Sequence, residues 1–143
     1  MRFMMIVKSC PEFEAELQPD PDPELMAAMA AYHEELARAG VLLDGSGLKP
    51  SRTGWRIHYG AQGRRVVDGP FAEAKELVAG YTLIQVRSRE EALEWSRRFP
   101  NPAGEGADAV VEVRELYELE DFAPSEALDR MKAMESLAKG AGQ

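Results

Sequence analysis

The stretch VVDGPFAEAKELVAGYTLIQV, residues 66–86, places an Asp-Gly-Pro-Phe corner and a short charged segment between two apolar runs. Glycine and proline are residues that tight turns require, so the corner is predicted to redirect the chain. In the run YTLIQV that follows, apolar side chains stand on both parities, which is typical of a strand covered on both faces. We therefore predict a central strand over residues 81–87, and a strand over residues 64–68 that leads into the corner.

A second strand of the same kind opens the chain. The run RFMMIVK carries apolar side chains on both parities and predicts a strand over residues 2–8. The segment from Ser9 to Pro21 is rich in proline and acidic residues, and it is predicted to be a long exposed loop. We expect the apolar side chains of the two central strands to form two opposed faces, with Met4, Ile6, Ile84 and Val86 on one and Phe3, Met5, Tyr81 and Leu83 on the other.

Two long helices are predicted from their end signals. Asp22 is a suitable N-cap before Pro23, and Gly40 follows the last periodic residue, so a helix is predicted over residues 23–39. Ser88 and Glu91 have the spacing of a capping box and predict a second helix over residues 89–99. The other predicted elements are strands over 41–44, 53–60 and 109–116, a hairpin turn containing Gly60 and Gly63, and a terminal amphipathic helix after Pro124 that aligns Leu128, Met131, Met134 and Leu137.

This element order is that of a ferredoxin-like split βαβ fold of the α+β class, with an inserted hairpin and a C-terminal helix. In this fold the helices pack on one face of an antiparallel sheet. The apolar side chains of the other face then lack cover within one chain, and apolar patches beyond a few hundred Å² are rarely left exposed. We therefore expect a second subunit to cover that face.

Composition limits the classes of function. A chain of 143 residues with 45% hydrophobic residues suffices for one domain with its own core. The formal net charge of −8 argues against binding to a nucleic-acid backbone, which rewards clustered lysine and arginine. The single Cys10 cannot form an internal disulfide, and the first apolar run is too short for a signal peptide or a membrane span. The sequence thus predicts a cytoplasmic protein with neither nucleic acid nor membrane as partner.

A family resemblance rests on residues 66–86, on EALEW and VEVREL after them, and on RFMMIVK and GVLLDGSGL before them. Together these segments resemble the DGPF branch of the YCII-related family over residues 1–117. The resemblance implies a homodimer in which two ferredoxin-like subunits form a dimeric α+β barrel. It implies no defined reaction, only a link to extracytoplasmic-function sigma factors, beside which some members are encoded. We expect residues 118–143 to form a helical tail that packs on the same domain or on its dimer partner.

The Asp-Gly-Pro-Phe corner has an architectural and a functional interpretation. In the first, Gly69 supplies an unusual φ and Pro70 fixes the next one. Asp68 then bonds nearby N–H groups, while Phe71 packs on the core. In the second, Asp68 is the candidate acid, base or hydrogen-bonding group of a cleft. The candidate ligand-binding residues are Gly69, Pro70, Phe71, Glu73, Lys75 and Tyr81, with the loop over residues 9–21 as a mobile cover.

His33 is a second candidate for catalysis. The YCII branch carries a His and Asp pair proposed as a catalytic dyad, with its His roughly three turns before the glycine that ends the first helix. Here Met29 occupies that region and His33 lies seven residues before Gly40, so the role does not transfer directly. A satisfied boundary histidine fits the same position. Neither metal-ligand spacing nor a cofactor fingerprint occurs, so no metal and no cofactor is predicted.

Two classes of function follow from these patterns. The first is a small-molecule-binding protein or enzyme with a cleft near the Asp-Gly-Pro-Phe corner, at or near the dimer interface. The second is a non-catalytic interaction module of a sigma-factor regulatory system, in which the corner is purely architectural. The sequence leaves open the ligand, the reaction and whether catalysis occurs at all.

Overall fold

The computed structural model describes residues 1–15 and 22–141, which form a four-stranded antiparallel sheet, a separate two-stranded hairpin and four helices. The strands of the sheet are β1 (Arg2–Lys8), β2 (Leu42–Gly47), β5 (Val78–Gln85) and β6 (Val111–Glu115). Their order in the sheet is β2-β5-β1-β6, which confirms the predicted ferredoxin-like α+β fold. The hairpin joins β3 (Trp55–Gly60) to β4 (Gly63–Asp68). The helices are α1 (Pro11–Ala15), α2 (Pro23–Arg38), α3 (Arg89–Arg97) and α4 (Glu126–Ala141), and single 3-10 turns occur at Ser51–Thr53, Ala74–Glu76 and Leu119–Asp121.

Both ends of α2 are fixed by local hydrogen bonds. Asp22 is the N-cap, because its carboxylate accepts the backbone N–H of Glu24 at 3.0 Å. At the other end the N–H of Val41 donates to the carbonyl of Leu36, and the chain leaves the helix through Gly40 at φ 74°. This pattern is a Schellman motif, in which glycine avoids the strain of a left-handed backbone.

The start of α3 differs slightly from the predicted capping box. The hydroxyl of Ser88 accepts the backbone N–H of Glu91 at 3.1 Å, as expected. The carboxylate of Glu91 instead accepts the N–H of Arg87 at 2.9 Å, one residue before the cap. The side chain of Glu91 therefore bonds the backbone N–H one residue before the N-cap. It still satisfies a donor at the start of the helix that has no partner within the helix.

The two faces of the sheet are assigned by the strand register. On the helix face the register pairs Phe3 with Ile84 and Met5 with Thr82, and on the open face it pairs Met4 with Leu83 and Ile6 with Tyr81. The predicted grouping is therefore wrong for β5. Ile84 and Val86 join the face of Phe3, and Tyr81 and Leu83 join the open face. The alternation of side chains along one strand can be predicted from neighbouring residues. The register between two strands depends on residues far apart in the sequence, so the sequence pattern does not predict which faces coincide.

The core lies between the sheet and the helices α2 and α3. Tyr32 connects the two helices, because its hydroxyl donates to the carbonyl of Trp95 at 2.7 Å. Its ring meets that of Phe99 edge to face, with centroids 5.2 Å apart. Burial raises the pKa of Tyr32 to about 12. The buried members of the core are Phe3, Met5, Tyr32, Leu36, Val41, Ile84, Val86 and Ala92.

The segment predicted as an exposed loop contains a helix. Pro11–Ala15 form α1, so the prediction is wrong there, and residues 16–21 lie outside the described residues. Proline is tolerated at a helix start, where its missing N–H is not needed, and two acidic residues favour the first turn. The start signal of α1 is hard to recognise in the sequence, because the same prolines and acidic residues are also typical of a loop.

Two apolar surfaces of the described residues remain exposed. On the hairpin, Trp55 is 63% and Tyr59 69% exposed. On α4, Leu128 is buried, whereas Leu137 is 74% exposed. The predicted stripe of α4 thus contacts its own chain only near the start of the helix. None of the helices within residues 1–15 and 22–141 combines the length and the apolar composition that crossing a membrane demands.

Candidate functional site

The Asp-Gly-Pro-Phe corner is packed against the 3-10 turn at Ser51–Thr53. The N–H of Gly69 donates to the carbonyl of Gly54 at 2.9 Å, and the peptide bond to Pro70 is cis. A Cβ at Gly69 would overlap the carbonyl oxygen of Ser51 and lie 2.6 Å from its carbon. Gly69 is not among the glycines with positive φ. The glycine is therefore required by close backbone approach, and the expected unusual φ is wrong.

Ser51 joins the corner to helix α1. Its hydroxyl accepts the backbone N–H of Phe71 at 3.0 Å and donates to the carboxylate of Glu14. The same carboxylate accepts the backbone N–H of Ser51 at 3.0 Å. The guanidinium of Arg52 adds a bond to the carbonyl of Ala15 at 2.9 Å. We call these contacts the α1 latch, and they attach the last two residues of a five-residue helix to the 3-10 turn.

The carboxylate of Asp68 is exposed, on the same hairpin face as Trp55, with which it is paired. It forms no hydrogen bond with another residue of the described part of the chain, so the expected bonds to nearby N–H groups are not seen there. Phe71 is half-buried, and the guanidinium carbon of Arg56 lies 3.8 Å from the centre of its ring. Pro70 and Glu73 are exposed. The corner is thus a packed turn with a free carboxylate at its edge.

A cavity of about 490 Å³ opens at the end of β1, and its wall includes Lys75 from the segment that follows the corner in sequence. This volume lies within the range of small-molecule sites. Its walls come from the end of β1, α1, the Ala74–Glu76 turn, the start of β5 and the segment 102–112. Apolar wall residues include Val7, Phe13, Ala79, Pro102, Ala109 and Val110.

The most unusual polar group of this cavity is Ser9. The residue is only 7% exposed, and its hydroxyl has no hydrogen-bond partner among the described residues. Its backbone is bonded normally, because its N–H donates to the carbonyl of Leu77 at 2.9 Å. A buried hydroxyl without a partner is costly, and such groups are rare in folded proteins. Ser9 therefore has an unused donor beside an open volume.

Charged groups complete the cavity wall. Lys8 donates to the carbonyl of Glu76 at 3.1 Å, and Lys75, the residue before Glu76 on the 3-10 turn, also lines the wall. Two carboxylates, Asp108 and Glu112, also line the wall, and Glu112 lies 3.5 Å from the guanidinium of Arg114. Both signs of charge are therefore present in an otherwise apolar enclosure.

Cys10 lies in the wall next to Ser9 and interacts with Glu12. The pKa of the Glu12 carboxyl is lowered, first by its own backbone N–H and then by the thiol of Cys10, with a smaller contribution from the ammonium of Lys75. The carboxylate is fully exposed, so solvent screens these effects. Glu12 itself is not part of the cavity wall.

Of the residues predicted to bind ligand, Lys75 lines this cavity, and the segment predicted as its cover contributes Ser9, Cys10 and Phe13. Asp68, Gly69, Pro70, Phe71 and Glu73 are not part of its wall. Tyr81 lies on the open face of the sheet, where its hydroxyl donates to the carboxylate of Asp44 at 2.9 Å. The structure therefore separates Tyr81 from Lys75.

His33 is located between α2 and the sheet, away from the cavity. Its Nδ1 lies 2.7 Å from the carbonyl of Met29 and its Nε2 lies 2.8 Å from the hydroxyl of Thr82. Because a carbonyl only accepts, Nδ1 donates to Met29, and Nε2 is paired with the Thr82 hydroxyl. Thr82 is 2% exposed. Both ring nitrogens are thus used within the chain, as in a satisfied boundary histidine.

Several residues of the site have no signal in the sequence. Glu14 and Ser51 are separated by 37 positions, and neither belongs to a recognisable motif. Asp108 and Glu112 are ordinary acids in a loop and on a strand. Only the fold brings them to the end of β1. Within residues 1–15 and 22–141, no three His, Cys, Asp or Glu side chains come together in a group that could hold a metal ion.

Comparisons with known proteins agree on a family. A family model described as the YCII-related domain matches residues 1–119. An uncharacterized protein of Rhizobium meliloti (strain 1021) is 33% identical over 82 residues, which cover 57% of this chain and 66% of that protein. The alignment therefore spans slightly less than two thirds of the length of that relative.

Proposed function

The chain belongs to the YCII-related domain family, and we propose that it binds a small molecule in the cavity at the end of β1. The observation that carries the proposal is the unpartnered hydroxyl of Ser9 at a cavity of about 490 Å³. A ligand that accepts this hydroxyl offsets a desolvation cost that the chain alone leaves uncompensated. Lys75 lines the cavity and belongs to the segment that follows the corner in the sequence. Asp68 and His33 stay candidates for catalysis, and the proposal requires binding only.

The test is a metabolite screen by thermal shift. A ligand at about one hundred times its dissociation constant stabilises the fold by roughly 2.7 kcal/mol, which raises the melting temperature. We expect Ala109→Phe, which fills the cavity from an exposed position, to abolish the shift. Ala61→Phe at the exposed hairpin turn is the matched control and should keep it. Equal shifts in wild type and Ala109→Phe would place the ligand elsewhere.

The partner that we propose is a second copy of the chain. The open face of the sheet carries Met4, Ile6, Tyr81 and Leu83, and the hairpin adds exposed Trp55, Ile57, Tyr59 and Val66. A two-stranded hairpin is only marginally stable by itself, so cover by another chain would stabilise it. We also propose a cytoplasmic location, for which the single Cys10 is the support.

The dimer can be tested with two neighbouring positions of the hairpin. Ile57 is on the exposed apolar face, whereas His58 has the opposite parity. Sedimentation velocity should show a dimer for wild type and for His58→Glu, and a monomer for Ile57→Glu. A monomeric wild type at micromolar concentration would contradict the proposal, because an obligate interface of this kind usually exceeds roughly 2,000 Å².

The second candidate function is a non-catalytic interaction module. The exposed apolar face of the hairpin favours it, since such a face is suited to a protein partner. The link to an extracytoplasmic-function sigma factor rests on the family resemblance alone. Co-sedimentation with a purified sigma factor of this type, lost in Ile57→Glu and kept in His58→Glu, would support this candidate over self-association.

A further inference from the structure

We propose that the hairpin of β3 and β4 binds an acidic peptide segment of a partner protein, which adds to the hairpin as a third strand. The site is the hairpin face that carries Arg56, His58 and Arg65, which we call the cationic face. It lies opposite the apolar face proposed for the second copy of the chain. The partner there is a macromolecule, distinct from the ligand of the cavity.

The hairpin is the basic part of an acidic chain. The whole chain has a formal net charge of −8, whereas residues 52–68 contain four arginines and a single acidic residue. That residue, Asp68, is paired with Trp55 and therefore lies on the apolar face. On the cationic face the register places Arg65 opposite His58 and Val67 opposite Arg56, so the hairpin contributes no carboxylate to this face.

The positive charge of the cationic face is not compensated by the described part of the chain. Arg56, His58 and Arg65 are exposed, and within residues 1–15 and 22–141 neither arginine forms an ion pair. The two arginines are diagonal neighbours across the strands, at a separation of roughly 7–8 Å. Like charges at such a distance repel each other, and carboxylates of a partner would offset that repulsion.

The hairpin also offers backbone groups to another strand. It forms a two-stranded sheet of its own, so one edge of β3 and one edge of β4 have no strand partner among the described residues. A two-stranded sheet is only marginally stable by itself, and a third strand adds a further ladder of backbone hydrogen bonds. Alternate side chains of an added strand point to the same face, where they meet the arginines.

The charges determine which segment fits this edge. Pairing between the edges of two copies would bring arginines together, and basic residues on an edge strand oppose such self-association. A segment with acidic residues at alternate positions instead places carboxylates beside Arg56 and Arg65, to which the guanidinium groups donate charge-assisted hydrogen bonds. The net charge of −8 acts against a polyanion as densely charged as nucleic acid, so a short acidic segment is favoured.

The test is fluorescence anisotropy with a short labelled peptide in which glutamate alternates with valine. One control peptide has glutamine in place of glutamate. A second control keeps the glutamates but carries N-methylated amides, which prevent it from pairing as a strand. We expect the acidic peptide to bind about tenfold or more tightly than either control. Equal binding of the acidic peptide and either control would overturn the proposal.

Arg64 and Arg65 provide a matched pair of variants. The two residues are adjacent and exposed, but Arg64 is paired with Tyr59 and lies on the apolar face. Arg65→Gln and Arg64→Gln remove the same charge, and we expect only Arg65→Gln to weaken binding of the acidic peptide, by about fivefold or more. Equal weakening in both variants would indicate attraction by net charge alone and overturn the proposal. Tighter binding of a single-stranded oligonucleotide than of the acidic peptide would overturn it in favour of nucleic acid.

Discussion

The backbone of Gly69 lies so close to the carbonyl group of Ser51 that no side chain fits between them. The contact joins the end of the hairpin to the 3-10 turn that precedes it. Ser51 also receives the N–H of Phe71 and holds Glu14 of helix α1. The close approach of Gly69 to Ser51 thus fixes the corner. The side chain of Ser51 connects the corner to α1, which forms part of the cavity wall.

Gly69→Ala should destabilise the protein strongly. The new methyl group would meet backbone atoms, which cannot move aside as the end of a flexible side chain can. We expect the free energy of unfolding to fall by about 2–3 kcal/mol, the upper range for overpacking. Gly60→Ala is the control, because a Cβ there has nothing within 4 Å. Denaturant unfolding should separate the two variants, and similar midpoints would show that the Ser51 contact relaxes.

The α1 latch should appear as coupling between Glu14 and Ser51. Each alanine substitution removes shared hydrogen bonds, and Glu14→Ala should cost about 1–2 kcal/mol of unfolding free energy. In a double-mutant cycle the two substitutions should interact by at least about 0.5 kcal/mol. Glu105→Ala, in the exposed loop, should be additive with Ser51→Ala. Additivity of Glu14→Ala with Ser51→Ala would show that the latch does not hold the helix.

We expect the free energy of unfolding to decrease at alkaline pH because of Tyr32. Burial raises its pKa to about 12, whereas the unfolded chain ionises the phenol near its ordinary value of about 10. The contribution is fully present below about pH 10 and is lost as the pH rises toward about 12, at up to about 1.4 kcal/mol per pH unit. Denaturant unfolding from neutral to alkaline pH measures this slope.

Tyr32→Phe separates this effect from the general effects of alkali. The variant loses the hydrogen bond to Trp95, so its unfolding free energy at neutral pH should be lower by about 1 kcal/mol. The difference from wild type should then shrink as the pH rises above about 10 and change sign before about pH 12, because wild type alone carries the ionising phenol. A constant difference across this range would contradict the assignment to Tyr32.

Helix ends were predictable because they depend on neighbours in sequence. Asp22 and Gly40 set the bounds of α2 through contacts within four or five residues. The facing of β5 was not predictable in the same way, since its alternation fits either pairing with β1. Only the register, which places Phe3 against Ile84, decides between them.

The candidate site was predictable only in part, for the same reason. Lys75 was found because it lies near the corner in sequence. The cavity is formed by segments around residues 7–13, 75–79 and 102–112, which no local pattern connects. Ser9 has no distinguishing sequence context, because it is a single serine before a proline-rich segment. Its significance comes from burial without a partner, which requires the folded chain.

Asp68→Asn decides whether the ligand lies at the corner or in the cavity. In the functional interpretation of the corner this substitution would abolish binding, and in the architectural interpretation it would change stability only modestly. The Asp68 carboxylate is exposed and is not part of the cavity wall, so we now expect a change of less than about 0.5 kcal/mol in unfolding free energy. The dissociation constant of a cavity ligand should stay within about twofold of wild type, whereas Ala109→Phe should abolish its binding. Loss of binding in Asp68→Asn, at unchanged melting temperature, would move the site from the cavity to the corner and make the free carboxylate the contact group.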